Sequence, residues 1–466
     1  MSLVATGDAG TALRAIWSLA GGEPAALDRV ELSGGDPILP TNFRVGTAAV
    51  STIAAAGVAA AELWRLRTGR RQSVRVDTRA AAACFRGERY LRVNGKPAPD
   101  PWSPISGFYR TSDSGWIQLH CNFPHHRDGV LRLLGCAGAR EEVERAVAGW
   151  KASALEDALA AAGMCAAMIR PAGEWRRHRQ GEAVRALPLL EVTRIGSSRP
   201  LPCGSGERPL AGVRALDLTR VIAGPVCGRT LAEHGAEVLL ITAAHLPSIE
   251  SLVIDTGRGK LSAHLDLRRA EDVERLRDLA RDADVFCQSY RPDSLEQRGF
   301  APEELARLRP GIVCVSLSAY GHTGPWRDRR GFDTLVQSAS GIAHENGLAA
   351  GRSAPRHLPA AVLDYASGYL AAFGAMIALA RRAREGGSYL VRVSLAQTAR
   401  WLDALGRIDG SAVPDLRRED IEDLLQTTPT PFGEVGHVAP AAQLSETPAF
   451  WSRPAVPLGT HPAEWG

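Results

Sequence analysis

The chain has 466 residues and a mass of 49.7 kDa, which corresponds to two or three domains. Hydrophobic residues make up 45% and charged residues 23%, values that exclude a fibrous or wholly disordered protein. The net charge of +4 is too small to indicate nucleic-acid binding.

Cysteine spacing and hydropathy indicate the cellular compartment in which the protein is expected. Eight cysteines are scattered along the chain, and no two form a CxxC pair, so neither a zinc ribbon nor a redox motif is supported. The first residues lack a basic region followed by an apolar one. The most apolar stretches, 48–63 and 366–380, are shorter than the roughly 20 residues of a membrane span. The sequence therefore predicts a cytoplasmic protein without a membrane segment or a metal site.

The first feature in chain order is a segment, 45–84, that recurs at 362–401 without a gap. Thirteen of its 40 positions are identical, and Gly69 aligns with Gly386. Each copy is predicted to form a long helix, an arginine-rich last turn, a glycine stop and a strand. We interpret the repeat as a duplication. The alternative is two amphipathic helices of similar composition.

Between the two copies, the segment 107–121 is predicted to form a hairpin around residues 112–115. Three helices at 126–135, 140–149 and 152–162 and a short strand at 165–171 follow. This order predicts a smaller α+β domain. A stretch rich in Gly, Pro and Ser at 197–212 then indicates a linker. We therefore predict a boundary at residue 205, which divides the chain into 1–205 and 206–466.

After the linker, apolar strands alternate with helices. Strands are predicted at 213–219, 237–242, 264–267, 285–289 and 312–320, and helices at 224–235, 269–283 and 301–310. Alternation of this kind predicts βαβ units and a parallel sheet. Apolar strands without polar alternation suit a sheet that is covered on both faces. The predicted fold class is α/β, with a Rossmann-like parallel sheet domain and the smaller α+β domain.

Dinucleotide and P-loop motifs are absent after the first strand of this region. Other segments could bind an anionic ligand at helix N-termini or at strand ends. For Gly224 and Pro225 the plainer interpretation is a turn into a helix, and for Arg258 and Lys260 it is a surface loop. The candidates are Gly224 and Pro225 at a helix start, Arg258 and Lys260 in a glycine-flexible segment, Ser289, Tyr290 and Arg291 after a strand, and Tyr320 and Gly321 after the next strand.

Together, the segments RPLAGVRALDLTRVIAGP, GRGK, SYRPDSLEQRGF and SLSAYGHTGPWRDRRGFD resemble the class III CoA-transferases. That family comprises formyl-CoA and L-carnitine CoA-transferases of the CaiB/BaiF type and the α-methylacyl-CoA racemases. The resemblance covers most of 206–466 and about 45–195. It implies an acyl-CoA:carboxylate CoA-transferase that is a homodimer, takes acyl-CoA and a carboxylic acid as substrates, and holds no permanent cofactor.

The resemblance places the family's nucleophile on Asp364, within AVLDYASGYLAAFGAMIALARR. In the family this aspartate forms a mixed anhydride with the acyl group. A helix start favours the anionic carboxylate, and Gly368, one turn later, would leave room for an acyl group. The residues alone favour a plain helix cap at Asp364. Thr47 occupies the aligned position of the first copy, so one active site is predicted, in the second half.

The same resemblance assigns the candidate residues to CoA. Gly224 and Pro225 would hold CoA at the helix start, Arg258 and Lys260 would face phosphates, Ser289, Tyr290 and Arg291 would face the nucleotide, and Tyr320 and Gly321 would lie near the thioester. The first half would supply the small domain that the second half lacks. Whether it completes the site within one chain or between chains stays open, and no motif marks the acyl donor or acceptor.

Two other functions are compatible with the sequence. Racemases of the family carry a proton-transferring histidine where this chain has Phe332, which argues against a racemase. His322 is the only visible substitute. The segments GRGK and SYRPD depart from the family's usual NRGK and NFRPG, which leaves a non-catalytic CoA-binding or scaffold protein as the stronger alternative.

Overall fold

The structure is a computed structural model that describes residues 8–466. Residues 1–7 lie outside the described residues. They are part of the segment from which the sequence analysis expected no secretory signal. The helices before residue 205 are α1 (Ala9–Leu19), α2 (Val45–Thr68), α3 (Thr78–Cys84), α4 (Gly87–Tyr90), α5 (Pro124–Leu134), α6 (Arg140–Val147), α7 (Ala152–Ala161), α8 (Ala172–Arg177) and α9 (Arg179–Arg185). The strands there are β1 (Val30–Ser33), β2 (Val74–Asp77), β3 (Arg92–Val93), β4 (Lys96–Pro97), β5 (Gly107–Arg110), β6 (Trp116–Leu119), β7 (Ala166–Met168) and β8 (Glu191–Gly196).

The rest of the chain begins with alternating strands and helices. Its helices are α10 (Ala223–Glu233), α11 (Glu250–Thr256), α12 (Ala270–Arg281), α13 (Pro302–Leu308), α14 (Asp333–Ser340), α15 (Ile342–Ala349), α16 (Val362–Glu385) and α17 (Leu395–Ala404). Its strands are β9 (Arg214–Leu218), β10 (Glu237–Thr242), β11 (Lys260–His264), β12 (Val285–Gln288), β13 (Val313–Ser318), β14 (Ser388–Ser394), β15 (Leu425–Thr430), β16 (Gly433–Val438) and β17 (Gln443–Leu444). Short 3₁₀ helices lie at Pro24–Arg29, Glu296–Arg298 and Arg418–Leu424.

A seven-stranded sheet forms the centre of the fold, in the order β11-β10-β9-β12-β13-β14-β8. All its neighbouring strands are parallel except β8, which pairs antiparallel with β14 at one edge. Successive residues of β9 enter different hydrophobic layers, Ala215 on one face and Leu216 on the other. The sheet is therefore covered on both faces, and the predicted α/β class with a parallel sheet is confirmed.

One predicted strand in this sheet was wrong. The sequence placed a strand at 264–267, whereas β11 ends at His264 and begins at Lys260. Lys260 is a charged residue inside the sheet because its stem is buried and its ammonium group lies 2.7 Å from a carboxylate oxygen of Asp217. A buried lysine that is paired in this way cannot be told from a loop lysine by its sequence pattern.

The smaller α+β unit lies between the two copies of the repeat. Strands β5, β6 and β7 form an antiparallel sheet, and β5 and β6 form the predicted hairpin. Helices α5, α6 and α7 follow β6 in the chain, and Val130, Val143 and Leu155 from these helices bury against Ile117 of the sheet. This hydrophobic cluster is separate from the two layers of the large sheet.

The first part of the chain also takes part in the large sheet. Strand β8 forms its antiparallel edge, and α2 packs along α16. The linker and the boundary at residue 205 therefore separate segments that share one sheet and one helical layer. The division of the chain into two domains stays a prediction.

The repeated segment has a repeated structure. Helices α2 and α16 are both 24 residues long and have the same bounds under the offset of 317, and each is followed by a strand and a helix. Strand β1 runs parallel to β2, as β13 runs parallel to β14. The first turn of each long helix donates backbone hydrogen bonds to the carboxylate of an aspartate from elsewhere in the chain. This aspartate is Asp36 for α2 and Asp333 for α16. The shared caps and register support a duplication.

Both long helices are more extensive than the apolar stretches that mark them in the sequence. By length and hydropathy alone, each could cross a membrane. Of the most apolar window in each helix, 89% in α2 and 100% in α16 is buried inside the protein. Core helices of soluble proteins meet the same criterion, so this observation is weak evidence for a membrane span.

Candidate active site

Asp364 is the third residue of α16 and is 7% exposed. It does not cap the helix, which corrects the plain interpretation of its sequence position. The cap is Asp333, whose carboxylate accepts hydrogen bonds from the backbone N–H groups of Leu363 at 2.8 Å and Asp364 at 3.0 Å. No described residue hydrogen-bonds to the Asp364 carboxylate. That carboxylate is therefore free to meet a ligand.

Two cavities meet at Asp364. We call them cavity A, of about 470 Å³, and cavity B, of about 480 Å³. Both are large enough for a drug-sized ligand. Val221, which lines both, has a φ of 76°, an uncommon conformation for a β-branched residue. The residues shared by the two walls are Phe123, Val221, Ile222, Phe332 and Asp364.

Cavity A is rich in positive charge. Its only carboxylate among the described residues is Asp364, and five arginines line it. Such a wall suits a ligand with several phosphate groups. The polar and charged lining residues are His125, His126, Arg220, Ser289, Tyr290, Arg291, Ser294, Ser318, Arg327, Arg329, Arg330 and Asp364.

Several of these cations have no carboxylate partner within the described chain. Arg291 makes no side-chain hydrogen bond or ion pair to any described residue, and Arg220 donates only to the carbonyl of Pro247. Arg330 lies 2.9 Å from Nε2 of His126. Positive groups left without counter-charges in a concave wall favour an anionic ligand.

Cavity B combines residues of the first half with the segment that contains Asp364. Residues between 88 and 123 form one wall, and residues between 332 and 364 form another. Within one chain, the first half thus lines part of the cavity that contains Asp364. The side chains that line cavity B include Glu88, Arg89, Arg92, Asp100, Trp102, His120, Asn122, Phe123, Phe332, Asp333, His357 and Asp364.

Three carboxyl groups that interact electrostatically line cavity B: Asp333 and Asp364 are buried, and the Glu88 side chain is 15% exposed. Burial, followed by repulsion from Asp333 and Glu88, raises the pKa of Asp364 well above its usual range. Burial also raises the pKa of Glu88, and it raises that of Asp333 to about 6 despite hydrogen bonds that oppose the shift. The Tyr365 hydroxyl donates to Glu88 at 2.7 Å. Asp364 is thus a carboxylate in a poorly solvated, electronegative setting, which makes it more reactive as a nucleophile when ionised.

The structure brings some of the sequence-predicted residues to this site. Gly224, Ser289, Tyr290 and Arg291 line cavity A together with Asp364. Arg291 follows strand β12, and Gly224 lies in the first turn of α10, so strand ends and a helix start converge here as expected for an open parallel sheet. Their contacts with CoA stay predictions.

The structure places Arg258 and Lys260 away from both cavities. Arg258 is 4% exposed and donates to a carboxylate oxygen of Asp255 at 2.7 Å, and Lys260 is 1% exposed against Asp217. The expectation that they face phosphates is wrong for this geometry because both cationic groups are buried with carboxylate partners. Arg229 also pairs with Asp255, at 3.0 Å, so these cations belong to a structural network.

Other predicted residues have packing roles. Tyr320 is 1% exposed, with its ring 5.1 Å from that of Trp326, and neither it nor Gly321 lines cavity A or cavity B. The carbonyl of Pro225 accepts a hydrogen bond from Lys260 at 2.7 Å.

Gly368 makes room for a helix and not for an acyl group. A Cβ there would lie 2.5 Å from the carbonyl oxygen of Ala223 and 2.7 Å from Cβ of Val226, both in α10. The glycine is therefore required by the close approach of α10 to α16, which corrects the sequence-based expectation.

Several site residues were missed in the sequence. The run RDRR at 327–330 places three arginines in cavity A directly after the Tyr320 loop, and this charge run was a usable signal. Glu88 and His120 had no such signal because they reach Asp364 through the folding of a distant segment. His126 is buried and lines cavity A. Residues 8–466 contain no cluster of side chains that could hold a metal ion.

Comparison with known proteins identifies relatives of this chain. The family model for CoA-transferase family III matches residues 29–195 and 210–407. The chain is 34% identical over 268 residues to the acetyl-coenzyme A transferase nodX of Hypoxylon pulicicidum, covering 54% of this chain and 45% of that protein. It is 32% identical over 214 residues to the succinyl-CoA:glutarate CoA-transferase of Mus musculus, covering 43% and 48%.

Among solved structures, a hypothetical protein of Mycobacterium tuberculosis is 31% identical, covering 44% of this chain and 57% of that chain with a TM-score of 0.39. The chain spans about half the length of the curated relatives it matches.

Proposed function

Since the chain belongs to CoA-transferase family III, we propose that it transfers CoA between an acyl-CoA and a carboxylic acid through Asp364. The observation that carries this proposal is the place of the Asp364 carboxylate, unpaired and buried where the arginine-lined cavity A meets cavity B. CoA has phosphate groups at one end and a thioester at the other. A wall of arginines beside a nucleophile matches that distribution of charge.

CoA would lie in cavity A with its thioester at Asp364. Arg220, Arg291 and Arg330, which lack carboxylate partners among the described residues, would hold its phosphates. Tyr290 joins cavity A to a smaller cavity of about 140 Å³ lined by Leu218, Ile241, Leu265 and other residues, which suits the adenine end. This assignment keeps Ser289, Tyr290 and Arg291 at the nucleotide and replaces Arg258 and Lys260 at the phosphates.

The chemistry begins with attack of an Asp364 oxygen on the thioester carbonyl. The C–S bond breaks as the new C–O bond forms, which gives a mixed aspartyl anhydride and CoA thiolate. The CoA thiolate then attacks the Asp364 carbonyl of the anhydride, which releases the donor carboxylate and leaves an aspartyl-CoA thioester. The acceptor carboxylate attacks this thioester, which gives a second mixed anhydride and frees the thiolate again. The thiolate finally attacks the acceptor's acyl carbon, which gives the new acyl-CoA and regenerates the Asp364 carboxylate. The chain's own residues position the nucleophile, because the Asp333 cap fixes the first turn of α16, which carries Asp364.

Trapping the intermediate tests this function directly. The protein is incubated with a panel of acyl-CoAs, hydroxylamine is added, and tryptic peptides are examined by mass spectrometry. We expect an aspartyl hydroxamate at Asp364 and at no other carboxylate, and none in an Asp364→Ala variant. The absence of an adduct and of thioester exchange with every donor would overturn the proposal in favour of a non-catalytic CoA-binding or scaffold protein.

The pH dependence of transfer reports the ionisation of Asp364. Only the anion attacks, so kcat/KM should fall on the acid side with a midpoint above the ordinary range of an aspartate, whose pKa is raised here by burial and by Asp333 and Glu88. In Glu88→Gln the repulsion is lost while the amide oxygen still accepts from Tyr365, so the midpoint should move to lower pH. Asp100→Asn, also in cavity B, is the matched control. An unchanged midpoint in Glu88→Gln would contradict this electrostatic account.

Removing a cation from cavity A should weaken CoA binding. Arg291→Ala is expected to raise KM for acyl-CoA by about 10- to 100-fold with little change in kcat, because a charge-assisted contact to phosphate is lost. Steady-state kinetics measure KM and kcat. Repeating them at several salt concentrations tests the charge, because salt should raise KM more steeply in the wild type than in the variant. Arg176→Ala on α8, whose side chain is 61% exposed, is the control. Equal KM values in Arg291→Ala and wild type would remove Arg291 from the phosphate site.

Racemisation is the less favoured activity. His322 lies near Glu191 and lines neither cavity, whereas the ring of His120 stacks on Phe332 at 4.0 Å. Burial lowers the pKa of His120 to about 4, which makes it a weak base for removing an α-proton. Deuterium exchange at the α-carbon of an acyl-CoA in D₂O distinguishes racemisation from CoA transfer, and we expect no exchange.

We also propose that the protein acts in the cytoplasm as a homodimer. All eight cysteines are free, which is consistent with a reducing compartment. Sedimentation of the purified protein measures its mass in solution, and we expect the mass of two chains.

A further inference from the structure

His126 and Arg330 form a contact between the smaller α+β unit and the segment that leads to Asp364. His126 lies in the first turn of α5, is 3% exposed and lines cavity A. Its Nε2 atom is 2.9 Å from a terminal nitrogen, Nη1, of Arg330. Arg330 also lines cavity A and lies three residues before Asp333, which caps α16. The contact therefore joins the two parts of the chain in the wall of a cavity that contains Asp364.

The direction of this hydrogen bond is fixed because a guanidinium group can only donate. Nε2 of His126 is therefore the acceptor and carries no proton. The buried thiol of Cys165 lies 3.6 Å from the same atom. Burial raises the pKa of that thiol to about 12, so it keeps its proton and can donate as well. Burial also lowers the pKa of His126 to about 3, so the ring is neutral at neutral pH. Arg330 is thus held by a neutral acceptor.

The partner of Arg330 differs from those of the other two arginines in the run RDRR. Arg327 lies 3.3 Å from a carboxylate oxygen of Asp328, and Arg329 lies 3.7 Å from one of Glu156. Arg330 makes no ion pair with a described residue, and no described residue accepts a hydrogen bond from its other terminal nitrogen, Nη2. A carboxylate partner would offset the positive charge of a guanidinium group. An imidazole orients the group and leaves its charge for a ligand.

Aromatic side chains fix the orientation of the His126 ring. The ring of Phe123 is 5.8 Å away at an interplanar angle of 85°, and that of Phe332 is 6.1 Å away at 70°. The second ring nitrogen of His126, Nδ1, is shielded from solvent and has no hydrogen-bond partner among the described residues. Nε2 is thus the atom through which this ring acts, and it acts on Arg330.

Resting on the proposed function, we propose that His126 is a positioning residue that holds Arg330 toward the phosphates of CoA without reducing its positive charge. The imidazole accepts from Nη1, which leaves Nη2 of Arg330 free to donate to a phosphate oxygen in cavity A. The Nε atom of Arg330 is shielded from solvent and takes no part in this contact. The first half of the chain thereby contributes to CoA binding through an arginine of the second half.

Binding of CoA to the full-length protein, measured by titration calorimetry, tests this role without turnover. Phenylalanine keeps the shape of the ring but has no acceptor, so His126→Phe should raise the Kd of CoA by about 10-fold. Glutamine places an amide oxygen near the position of Nε2, so His126→Gln should stay within about threefold of the wild type. His322→Phe is the matched control, because His322 lines neither cavity, and it should bind CoA as the wild type does.

A double-mutant cycle with Arg330→Ala separates positioning from a general effect on the fold. Arg330→Ala should raise the Kd of CoA by about 10- to 100-fold. Adding His126→Phe to it should change Kd by less than about twofold, because the imidazole then has no guanidinium group to hold. With a responsive acyl-CoA donor, His126→Phe alone should raise KM and leave kcat within about twofold of the wild type.

Three results would overturn the positioning role: wild-type affinity in His126→Phe, an equal effect of that change with and without Arg330, or a loss confined to kcat. If His126→Phe fails to fold, His126→Asn takes its place with the same expected values, because its amide oxygen lies near the position of Nδ1 and is too short to reach Arg330. Transfer is assayed separately in the wild type. An affinity for CoA that depends on His126, without thioester exchange, would leave this role standing and overturn the proposed function.

Discussion

Replacing Asp364 by asparagine is expected to lower kcat for CoA transfer by at least about 1,000-fold, because no anhydride can form on an amide. KM for acyl-CoA should stay within a few-fold, since the arginines of cavity A are untouched. Initial rates of thioester exchange with a responsive donor measure both constants. Asp100→Asn changes a carboxylate in the same cavity and should retain transfer. A fully active Asp364→Asn protein would show that another group is the nucleophile.

The same substitution should stabilise the fold at neutral pH. The pKa of Asp364 is raised in the folded protein above its value in the unfolded chain, chiefly by burial. Such a group contributes stability below its unfolded pKa, and this contribution is lost as the pH rises through the folded pKa. Each tenfold change in the ionisation constant corresponds to about 1.4 kcal/mol. The asparagine variant avoids this loss, so its unfolding free energy should exceed that of the wild type, and by more at pH 8 than at pH 5.

Urea unfolding at the two pH values measures this difference. A variant whose advantage over the wild type does not grow with pH would contradict a raised pKa at Asp364. Loss of activity together with gain of stability is the pattern expected of a nucleophile held in an unfavourable setting.

The parts of the fold that sequence patterns predicted are those set by local chemistry. The apolar strands, the hairpin at 107–121 and the glycine stop at Gly69 depend on residues adjacent in the chain. The bounds of α2 and α16 follow from the repeat. Lys260 was misplaced because its burial depends on Asp217, 43 residues away in the chain, and no local pattern reports that pairing.

Likewise, some residues of the candidate site could be predicted from the sequence and others could not. Asp364 and Arg291 lie in contiguous motifs and could be found from the sequence. Glu88 and His120 lie in the first half, and their proximity to Asp364 is set by the packing of α2 on α16 and by the position of the smaller unit. Long-range assembly of this kind leaves no periodic signal in one sequence.

A duplication would explain why the first half has a helix and strand like those of the second half although it has no aspartate at the position of Asp364. Helix α2 keeps the aspartate cap of α16, with Asp36 accepting from the N–H groups of Gly46 at 2.8 Å and Thr47 at 2.7 Å. Thr47 has the position of Asp364 but no attacking carboxylate. The first copy thus has the same kind of helix cap and packs against α16, while the segment that follows it lines part of cavity B.

These different roles of the two halves predict how stable and how active the second half is when it is separated from the first. A fragment of residues 206–466 loses α2, strand β8 and the first-half wall of cavity B. Without α2, the alanine-rich face of α16 is exposed to water, and the sheet gains an open edge at β14. We expect this fragment alone to be insoluble or to lack a cooperative unfolding transition, and to have no transferase activity.

Co-expression of residues 1–205 and 206–466 as two chains is the informative counterpart. The break lies in the linker, where Gly204, Ser205 and Gly206 are exposed, so it should leave the packing of α2 on α16 intact. We expect the two chains to purify together and to recover at least about a tenth of the transfer activity of the intact protein, because the lost covalent link costs only association entropy. A soluble fragment of residues 206–466 with full activity by itself would contradict the role assigned to the first half. It would mean that Asp364 needs neither α2 nor the wall that contains Glu88 and His120.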